Sequence, residues 1–455
     1  MSGEALAGLR RRVAGRQATV GVVGLGYVGL PSAALLAAAG FGVIGVDLKR
    51  ERVDLINSGA NPIEGDEPGL SELLERMIAS ERLRATTASE ELAEADVVLV
   101  SVETPVAADH RPSFAALKAA CTQIGRVLKP GALVIIESTI APGTVAGLVR
   151  PALEESSGRT EGRDFHLGHC PERVMPGRLL RNMRTMSRVL GADSAEVAEV
   201  MRALYSAYVE GDLDPADLLT AELVKTAENA YRDVNIAFVN ELAIICERSG
   251  ADVWKVRELV RKSPGRDLLL PGSGVGGHCI PKDPWLLAAP LGDQADTSLL
   301  AAARRVNDGM PVHVAGIALA ALRDHEVHPA DAIIGVLGAA YLENSDDKRN
   351  SPTAVLTEVL ARAGCRVRVH DPLVAGVERD LDAVVAGADC VIAMVAHSDY
   401  GGIDLAVLSA SLRHPILVDT RRVFDAATAT AVGLDYRRLG TGGPRPSAVS
   451  AEGDR

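Results

Sequence analysis

The chain has 455 residues, 47% of them apolar and 24% charged, with a formal charge of −12. That length suits about three domains with apolar cores of their own, and the composition is that of a globular chain rather than a disordered or fibrous one. The acidic balance excludes general nucleic-acid affinity, which needs concentrated Lys and Arg, and no apolar run is long enough to cross a bilayer. The opening stretch MSGEALAGLRRRVAGRQ carries basic residues but no apolar signal core, which predicts a cytoplasmic chain with no membrane partner. Six cysteines, scattered without C-x-x-C pairs, fit neither a disulfide framework nor a zinc site, so no metal is expected.

In chain order, ATVGVVGLGYVGLPSAALLAAAGFGVIGVDLKRERVDLINSG alternates a β-branched run, a glycine turn, an Ala/Leu-rich helix and a second β-branched run, which is a βαβ unit. Within it, GLGYVG sets Gly24, Gly26 and Gly29 between strand and helix. Glycines there allow a tight turn, approach of a pyrophosphate and close helix packing. Asp47 closes the next strand about twenty residues on, where an acid can hold a ribose hydroxyl and opposes a phosphate, so NAD is expected rather than NADP. The runs ADVVLVSV and ALVIIEST, with the helical SFAALKAACTQIGRVL between them, continue the alternation into a parallel sheet covered by helices. The first domain is expected to span residues 1–210.

From Thr220 to Ser249 there is neither Pro nor internal Gly, and Gly250 closes what reads as one long helix. Such a helix, apolar on more than one face, is expected to carry a middle domain over 211–325 and part of a contact in a homodimer or higher homo-oligomer. Lys225, Asn229 and Arg232 share one of its faces. They are either a stripe that stabilises negative charge on an oxygen or a solvated face, and taken alone the solvated face is the commoner arrangement.

GSGVGGHCIPKDPWLL, from Gly272, has two readings. Pro284 as a first helical residue makes Asp283 an N-cap and the glycines a flexible approach. A thiol near a helix N-terminus and a lysine also has an enlarged thiolate fraction, so local sequence leaves Cys279 evenly placed between loop thiol and nucleophile. His278 beside it points away in extended backbone. Glu172 and Arg173, in the proline-bounded CPER segment, belong to the surface or to a site, while Cys170 and the remaining cysteines read as packing residues. From Asp331 the α/β rhythm restarts with DAIIGVLG, CRVRVHDP, DCVIAMVAH and PILVDTRRVF. The fold class is therefore α/β, with an N-terminal Rossmann domain for NAD, a central long-helix domain and a C-terminal Rossmann-like domain over 326–435. A Gly/Pro/Ser-rich tail, 436–455, is expected to be disordered.

In order and spacing, GLGYVGLP, ESTIAPGT, CPERVMPG, ELVKTAENAYRDVNIAFVNELA, PGSGVGGHCIPKDPW and NSDDKRNSP resemble the UDP-glucose/UDP-N-acetylhexosamine 6-dehydrogenase family over nearly the whole chain. CPERVMPG and GVGGHCIP are similar to the N-acetylhexosamine branch, UDP-N-acetylmannosamine dehydrogenases in particular, whereas Lys282 before Asp283 is shared with the UDP-glucose branch. The resemblance implies a four-electron, NAD-dependent oxidation of a UDP-sugar at its 6-hydroxyl, serving polysaccharide biosynthesis, with UDP-glucose and UDP-N-acetylglucosamine as alternative substrates. It makes Cys279 the nucleophile that carries a thiohemiacetal and then a thioester. Lys225 and Asn229 would stabilise the oxyanions, Asp283 and Thr139 would position water and a proton acceptor, and Glu172 would assist hydrolysis.

The resemblance extends the cofactor site to Tyr27, Val28, Arg52, Thr104, Thr139 and Arg349. It spreads the substrate site over Glu172, Arg173, Val174, Lys225, Asn229, Arg232, Arg266 and Gly276, with Arg266 reaching across a dimer and the second α/β domain binding uridine diphosphate. One departure is Leu342, where the family has a lysine, so a charge is missing or comes from Lys348 or another residue. Two further readings stand beside this one. A two-electron hydroxyacid dehydrogenase has no use for the second α/β domain, and a non-catalytic nucleotide sensor has no use for Lys225, Asn229, Cys279 and Asp283 together.

Overall fold

In the computed structural model, which describes residues 2–442 except 64 and 66, the chain divides into two units. Met1–Glu228 and Lys282–Ala295 form the first, and Asn229–Pro281 with the chain from Asp296 onward forms the second.

The β-branched runs of the first unit become eight strands: β1 (Thr19–Val23), β2 (Gly42–Val46), β3 (Leu83–Thr86), β4 (Val97–Val100), β5 (Leu133–Ile136), β6 (His166–His169), β7 (Arg188–Ala192) and β8 (Leu213–Ala216). Their order in the sheet is β3-β2-β1-β4-β5-β6-β7-β8. The first six follow the doubly wound dinucleotide order, which places the ligand crevice at the carboxyl ends of the strands where the order reverses, between β1 and β4. All pairs are parallel except β6 with β7. The central strands VVLV and LVII are buried at every residue, as a parallel sheet covered on both faces requires. One flanking core gathers Val20, Leu30, Leu36 and Leu99, the other Val98, Ile124, Ile136 and Phe165.

The Pro-free segment forms a 32-residue helix, Leu218–Ser249, starting two residues before the expected Thr220. The short helix after the cysteine loop runs Asp283–Ala288 with Lys282 at the N-cap, so Asp283 is a helical residue rather than the expected cap. Proline is tolerated anywhere in a first turn, where its missing N–H is not needed, so Pro284 alone could not fix the start.

In the second unit, β9 (Ile333–Leu337), β10 (Arg366–His370), β11 (Cys390–Ala393), β12 (Ile416–Asp419) and β13 (Asp435–Arg438) form an all-parallel sheet in the order β10-β9-β11-β12-β13. This is the other common doubly wound order, with its switch point between β9 and β11. Ile334, Val336, Ile392 and Val418 pack against Met310, Val314 and Ala318 of the helix Leu299–Asp324. β13 corrects the expected tail boundary. Tyr436 pairs with Leu417, Trp254 Nε1 donates to the Leu439 carbonyl at 3.1 Å, and Gly442 N donates to Ala251 O at 2.9 Å. These pairings hold a segment whose local composition reads as disordered. The rest of the expected tail, 443–455, lies outside the described residues. Among the described residues no helix is long and apolar enough to cross a membrane.

Candidate active site

The glycine loop leaves β1 at the switch point, and its three glycines differ in what surrounds them. Gly24 has φ +88°, and a Cβ there would lie 2.5 Å from Ser101 O; a Cβ on Gly29 would lie 1.9 Å from Gly24 O. Both are closed by the fold itself. A Cβ on Gly26 would meet nothing within 4 Å, so Gly26 faces open space at the mouth of the helix Gly29–Ala38, with Val28 as its N-cap. A backbone open at that point, at a helix N-terminus, suits a pyrophosphate. Asp47, at the end of β2, accepts Leu25 N at 2.9 Å and Lys49 N at 2.9 Å, and Arg52 Nη1 lies 3.1 Å from its Oδ2. Its carboxylate is thus oriented beside the loop, where it can take a ribose hydroxyl and opposes a second phosphate. These residues fit a dinucleotide.

Tyr27, inside the glycine loop, donates its hydroxyl to the buried Glu67 carboxylate, which also accepts Gly177 N at 2.9 Å and Leu179 N at 3.1 Å. One side chain therefore ties the cofactor loop to the turn that follows CPER. Within that segment Arg173 donates through Nε to Glu228 at 2.9 Å and also bonds the Ser187 carbonyl, while Val174 packs on the core.

Glu172, Lys225 and Asp283 gather in the first unit, 8%, 7% and 0% exposed. Burial raises the proton affinity of Glu172, and the Lys225 and Arg188 charges oppose that shift. Its Oε2 has no hydrogen-bond partner among the described residues, so a buried carboxylate keeps one acceptor site unused. The Lys225 end of the polar stripe is therefore not a solvated face, whereas Arg232 is exposed. Below lies a buried set that local sequence did not single out. Glu137 accepts Ser101 Oγ at 2.9 Å and Tyr205 Oη at 2.9 Å, and Arg188 Nη1 lies 4.0 Å from Glu137, its guanidinium over the rings of Tyr205 and Tyr208. Thr104 Oγ1 donates to Thr139 O at 2.6 Å, and Lys282 Nζ donates to Thr104 O at 3.1 Å while lying 3.3 Å from Asp283 Oδ1. Thr104, Thr139 and Asp283 are thus joined through Lys282. Glu222, in the long helix, accepts Gly143 N at 2.6 Å and Val145 N at 2.7 Å, which fixes the APGT turn after Thr139.

The cysteine loop up to Pro281, with Asn229, belongs to the second unit. Its start is pinned by a buried polar network: Gly272 N donates to Asn240 Oδ1 at 2.9 Å, and Asn240 Nδ2 to Asn307 Oδ1 at 2.9 Å. Asn307 Nδ2 donates to Asp233 Oδ1 at 2.8 Å, which also takes Arg304 Nη1 at 2.6 Å. A Cβ on Gly276 would lie 2.4 Å from Tyr341 Cβ, so this glycine is required for packing. Gly277 N donates to Arg349 O at 2.8 Å and Asn350 Nδ2 to Gly277 O at 3.1 Å. Cys279 is exposed, unlike the other five cysteines, which are buried. Arg349, bonded to Asp347 through Nε at 2.9 Å, is near enough to Cys279 for their charges to interact. Arg266 is exposed and donates to Pro264 O at 2.7 Å.

At the second switch point a slot of about 30 Å³ is lined by Ser273, Tyr341, Leu342 and Glu343, by Thr353 at the start of the helix Pro352–Arg362, and by Arg421 after β12. Leu342 thus lies where a charge was expected, and Arg421 supplies one in the same slot. DTRR directly behind a β-branched run was the available signal, because carboxyl ends of parallel strands carry ligand contacts.

Three family profiles match the chain. The NAD binding domain of the UDP-glucose/GDP-mannose dehydrogenase family covers residues 18–209, its central domain 219–309 and its UDP binding domain 335–426. A UDP-N-acetyl-D-mannosamine dehydrogenase of Pyrococcus horikoshii is 38% identical over 93% of this chain and 99% of its own. An NDP-N-acetyl-D-galactosaminuronic acid dehydrogenase of Ralstonia nicotianae is 35% identical over 91% of this chain and 98% of its own. Among solved structures, the P. horikoshii UDP-D-ManNAc dehydrogenase superposes with a TM-score of 0.87, covering 93% of this chain and 99% of its own at 38% identity. A UDP-glucose dehydrogenase of Pyrobaculum islandicum gives 0.81 at 30% identity over 93% and 98%. The open dinucleotide loop, the two doubly wound sheets and these matches together place the chain in the UDP-glucose/GDP-mannose dehydrogenase family, as an NAD-dependent nucleotide-sugar dehydrogenase.

Proposed function

We propose that the chain oxidises the 6-hydroxyl of UDP-N-acetylmannosamine to the carboxylate, in a four-electron reaction through covalent intermediates on Cys279. The observation that carries the chemistry is the buried Glu172 carboxylate with an unused oxygen beside the Lys225 charge, together with an exposed thiol near a guanidinium. The names of the P. horikoshii relative and its solved structure support the choice of sugar.

NAD, when bound, accepts the electron pair of each oxidation as a hydride. Once the alcohol has become an aldehyde, the Cys279 thiolate adds to its carbon, and the new C–S bond leaves an oxyanion stabilised by the Lys225 ammonium and the Asn229 amide. Loss of hydride from that carbon gives a thioester. Glu172 takes a proton from water as the water adds to the thioester. The C–S bond then breaks, releasing the carboxylate and returning the thiolate. Asp283 and Thr139 position the water, through the Lys282–Thr104 link. The diphosphate of the substrate belongs at the carboxyl ends of β9, β11 and β12, beside Arg421. Tyr231, Phe238 and Ile245, seven residues apart on the long helix and 71%, 55% and 54% exposed, support a homodimer, whose partner Arg266 would serve. The product suits a cytoplasmic supply of uronic acids for polysaccharide assembly.

The test is NADH release from UDP-N-acetylmannosamine, UDP-N-acetylglucosamine and UDP-glucose, with the product mass measured. Two NADH per UDP-N-acetylmannosamine and a carboxylate product are expected, with acid formation lost in Cys279→Ser. One NADH per sugar, or full acid formation by that variant, overturns the mechanism; preference for another sugar overturns the substrate.

A further inference from the structure

In a chain of charge −12, four arginines of the second unit line one concavity. Arg257 and Arg261 come from the helix Val253–Val260 and the residue after it, and Arg421 and Arg422 from the segment after β12. With Trp254, Leu270 and Glu258 they enclose a cavity of about 340 Å³, within the size range of small-ligand sites. Glu258 is the one acid in that lining, and it is held by Lys255 Nζ at 3.0 Å. Arg257 spends its Nε on the carbonyls of Leu268 and Leu269, at 3.0 and 2.8 Å, and Arg261 its Nε on Asp267 at 2.7 Å. The guanidinium of Arg422 makes no hydrogen bond or ion pair with any described residue, and its φ is +56°. Like charges brought together repel. Burial lowers the proton affinity of Arg257, and the neighbouring Arg261 charge lowers it further. Such a gathering is stable in the presence of an anion that accepts from several planar forks at once.

We propose that this cavity is an anion site for a phosphate- or diphosphate-bearing ligand bound in addition to the UDP-sugar, with Arg257, Arg261 and Arg422 as donors. Arg421 lines both this cavity and the slot at the β9/β11 switch point, and its own pairing is loose, 4.0 Å to Glu343. An anion in the cavity draws Arg421 from the slot, so its occupancy weakens UDP affinity, and by linkage UDP weakens the anion by the same factor. The inference does not require the sugar to be N-acetylmannosamine.

The experiment is calorimetric titration of the full chain with inorganic pyrophosphate, with and without saturating UDP, for the wild type and for Arg261→Gln/Arg422→Gly. Glycine suits the positive φ at 422, and Arg261→Lys/Arg422→Lys, which keeps charge but not the fork, is the second variant. One pyrophosphate site on the UDP-saturated wild type is expected. Its affinity should fall about tenfold or more in the Gln/Gly variant and less in the Lys/Lys variant, with melting temperatures unchanged. Equal affinity in all three proteins overturns the site. Complete displacement of pyrophosphate by UDP overturns its separateness from the substrate. NADH release from UDP-sugars, measured on the same variants, tests the proposed reaction independently.

Discussion

The hydroxyl of Tyr27 and the backbone of Gly177 are bound by the same carboxylate, that of Glu67, so the cofactor loop and the turn behind CPER share one buried anchor. Hydrogen bonds to a charged acceptor contribute about 1.5–3 kcal/mol each. Glu67→Gln removes the charge and presents an amide N–H₂ to three donors, whereas Tyr27→Phe leaves the Glu67 carboxylate its two backbone donors. In the glutamine variant, NAD affinity and the KM for the UDP-sugar are both expected to worsen by about tenfold or more, with a smaller effect on both in Tyr27→Phe. Calorimetry for NAD and steady-state kinetics for the sugar check this; a change in one ligand alone contradicts the shared anchor.

Gly26 and Gly29 separate ligand contact from folding. A methyl at Gly26 enters open space and one at Gly29 runs into Gly24 O at 1.9 Å. Gly26→Ala should keep its melting temperature and lose NAD affinity by on the order of tenfold or more, since the backbone can no longer approach a pyrophosphate. Gly29→Ala should lose stability by about 1–3 kcal/mol, the usual penalty for overpacking. Thermal melts paired with NAD titration distinguish the two.

Glu172 carries a pH prediction. Burial raises its proton affinity above the ordinary value of 4.5, despite Lys225 and Arg188. The folded chain therefore keeps this proton over a range in which the unfolded chain has released it. Its contribution to stability is full below 4.5 and is lost as pH rises through the folded value. In the proposed hydrolysis it works as a base only above that folded value. The wild type should show an acid limb in kcat above pH 4.5. Glu172→Gln should abolish the limb, lower kcat by about 10²- to 10⁴-fold and gain stability relative to wild type at neutral pH. Urea melts and a kcat profile at several pH values check both signs.

These residues also show how far the chain could be read from its letters. GLGYVG, Asp47 and the β-branched runs were legible because each acts through neighbours a few residues away, and the alternation of strand and helix set both doubly wound sheets. The burial of Lys225 was not, because a helix position is buried or solvated according to what packs on it, and that is not written in the helix. Glu67 meets partners 40 and 110 residues away, and nothing near it distinguishes it from a surface acid. Asp283 was misplaced by one helical position because proline restricts a first turn without fixing its first residue. The boundary of the tail was misjudged because β13 is held by pairing with β12, not by its own composition.

The exposed row Tyr231, Phe238 and Ile245 predicts that Phe238→Glu weakens self-association. In the proposed homodimer a charge at the centre of that apolar contact is left desolvated and unpaired, and a loss on the order of a hundredfold in dimer affinity is expected. Sedimentation velocity across a concentration series checks it, and an unchanged association constant removes this helix face from the interface.

Asn240 and Asn307 join the cysteine loop to a buried ion pair. Gly272 N depends on Asn240, Asn240 on Asn307, and Asn307 on the Asp233 carboxylate that also holds Arg304. All four side chains are at most 2% exposed, so each deletion strands a buried polar partner. Asn240→Ala removes both the acceptor of Gly272 N and the donor to Asn307, a loss of about 1–3 kcal/mol for each group left unsatisfied. Asp233→Leu strips the buried Arg304 of its Nη1 partner, leaving it only the ion pair with Asp308, and removes an acceptor of Asn307, so it should cost about 1–3 kcal/mol for each group left unsatisfied. The functional consequence falls on the loop that carries Cys279. In Asn240→Ala, kcat should fall by more than the KM for either substrate rises, because a loosened loop impairs alignment of the thiol rather than ground-state binding. Urea unfolding gives the stability terms, and single-turnover kinetics beside alkylation of the Cys279 thiol gives the loop's share; a variant that loses stability yet keeps wild-type kcat when folded would confine the network to a structural role.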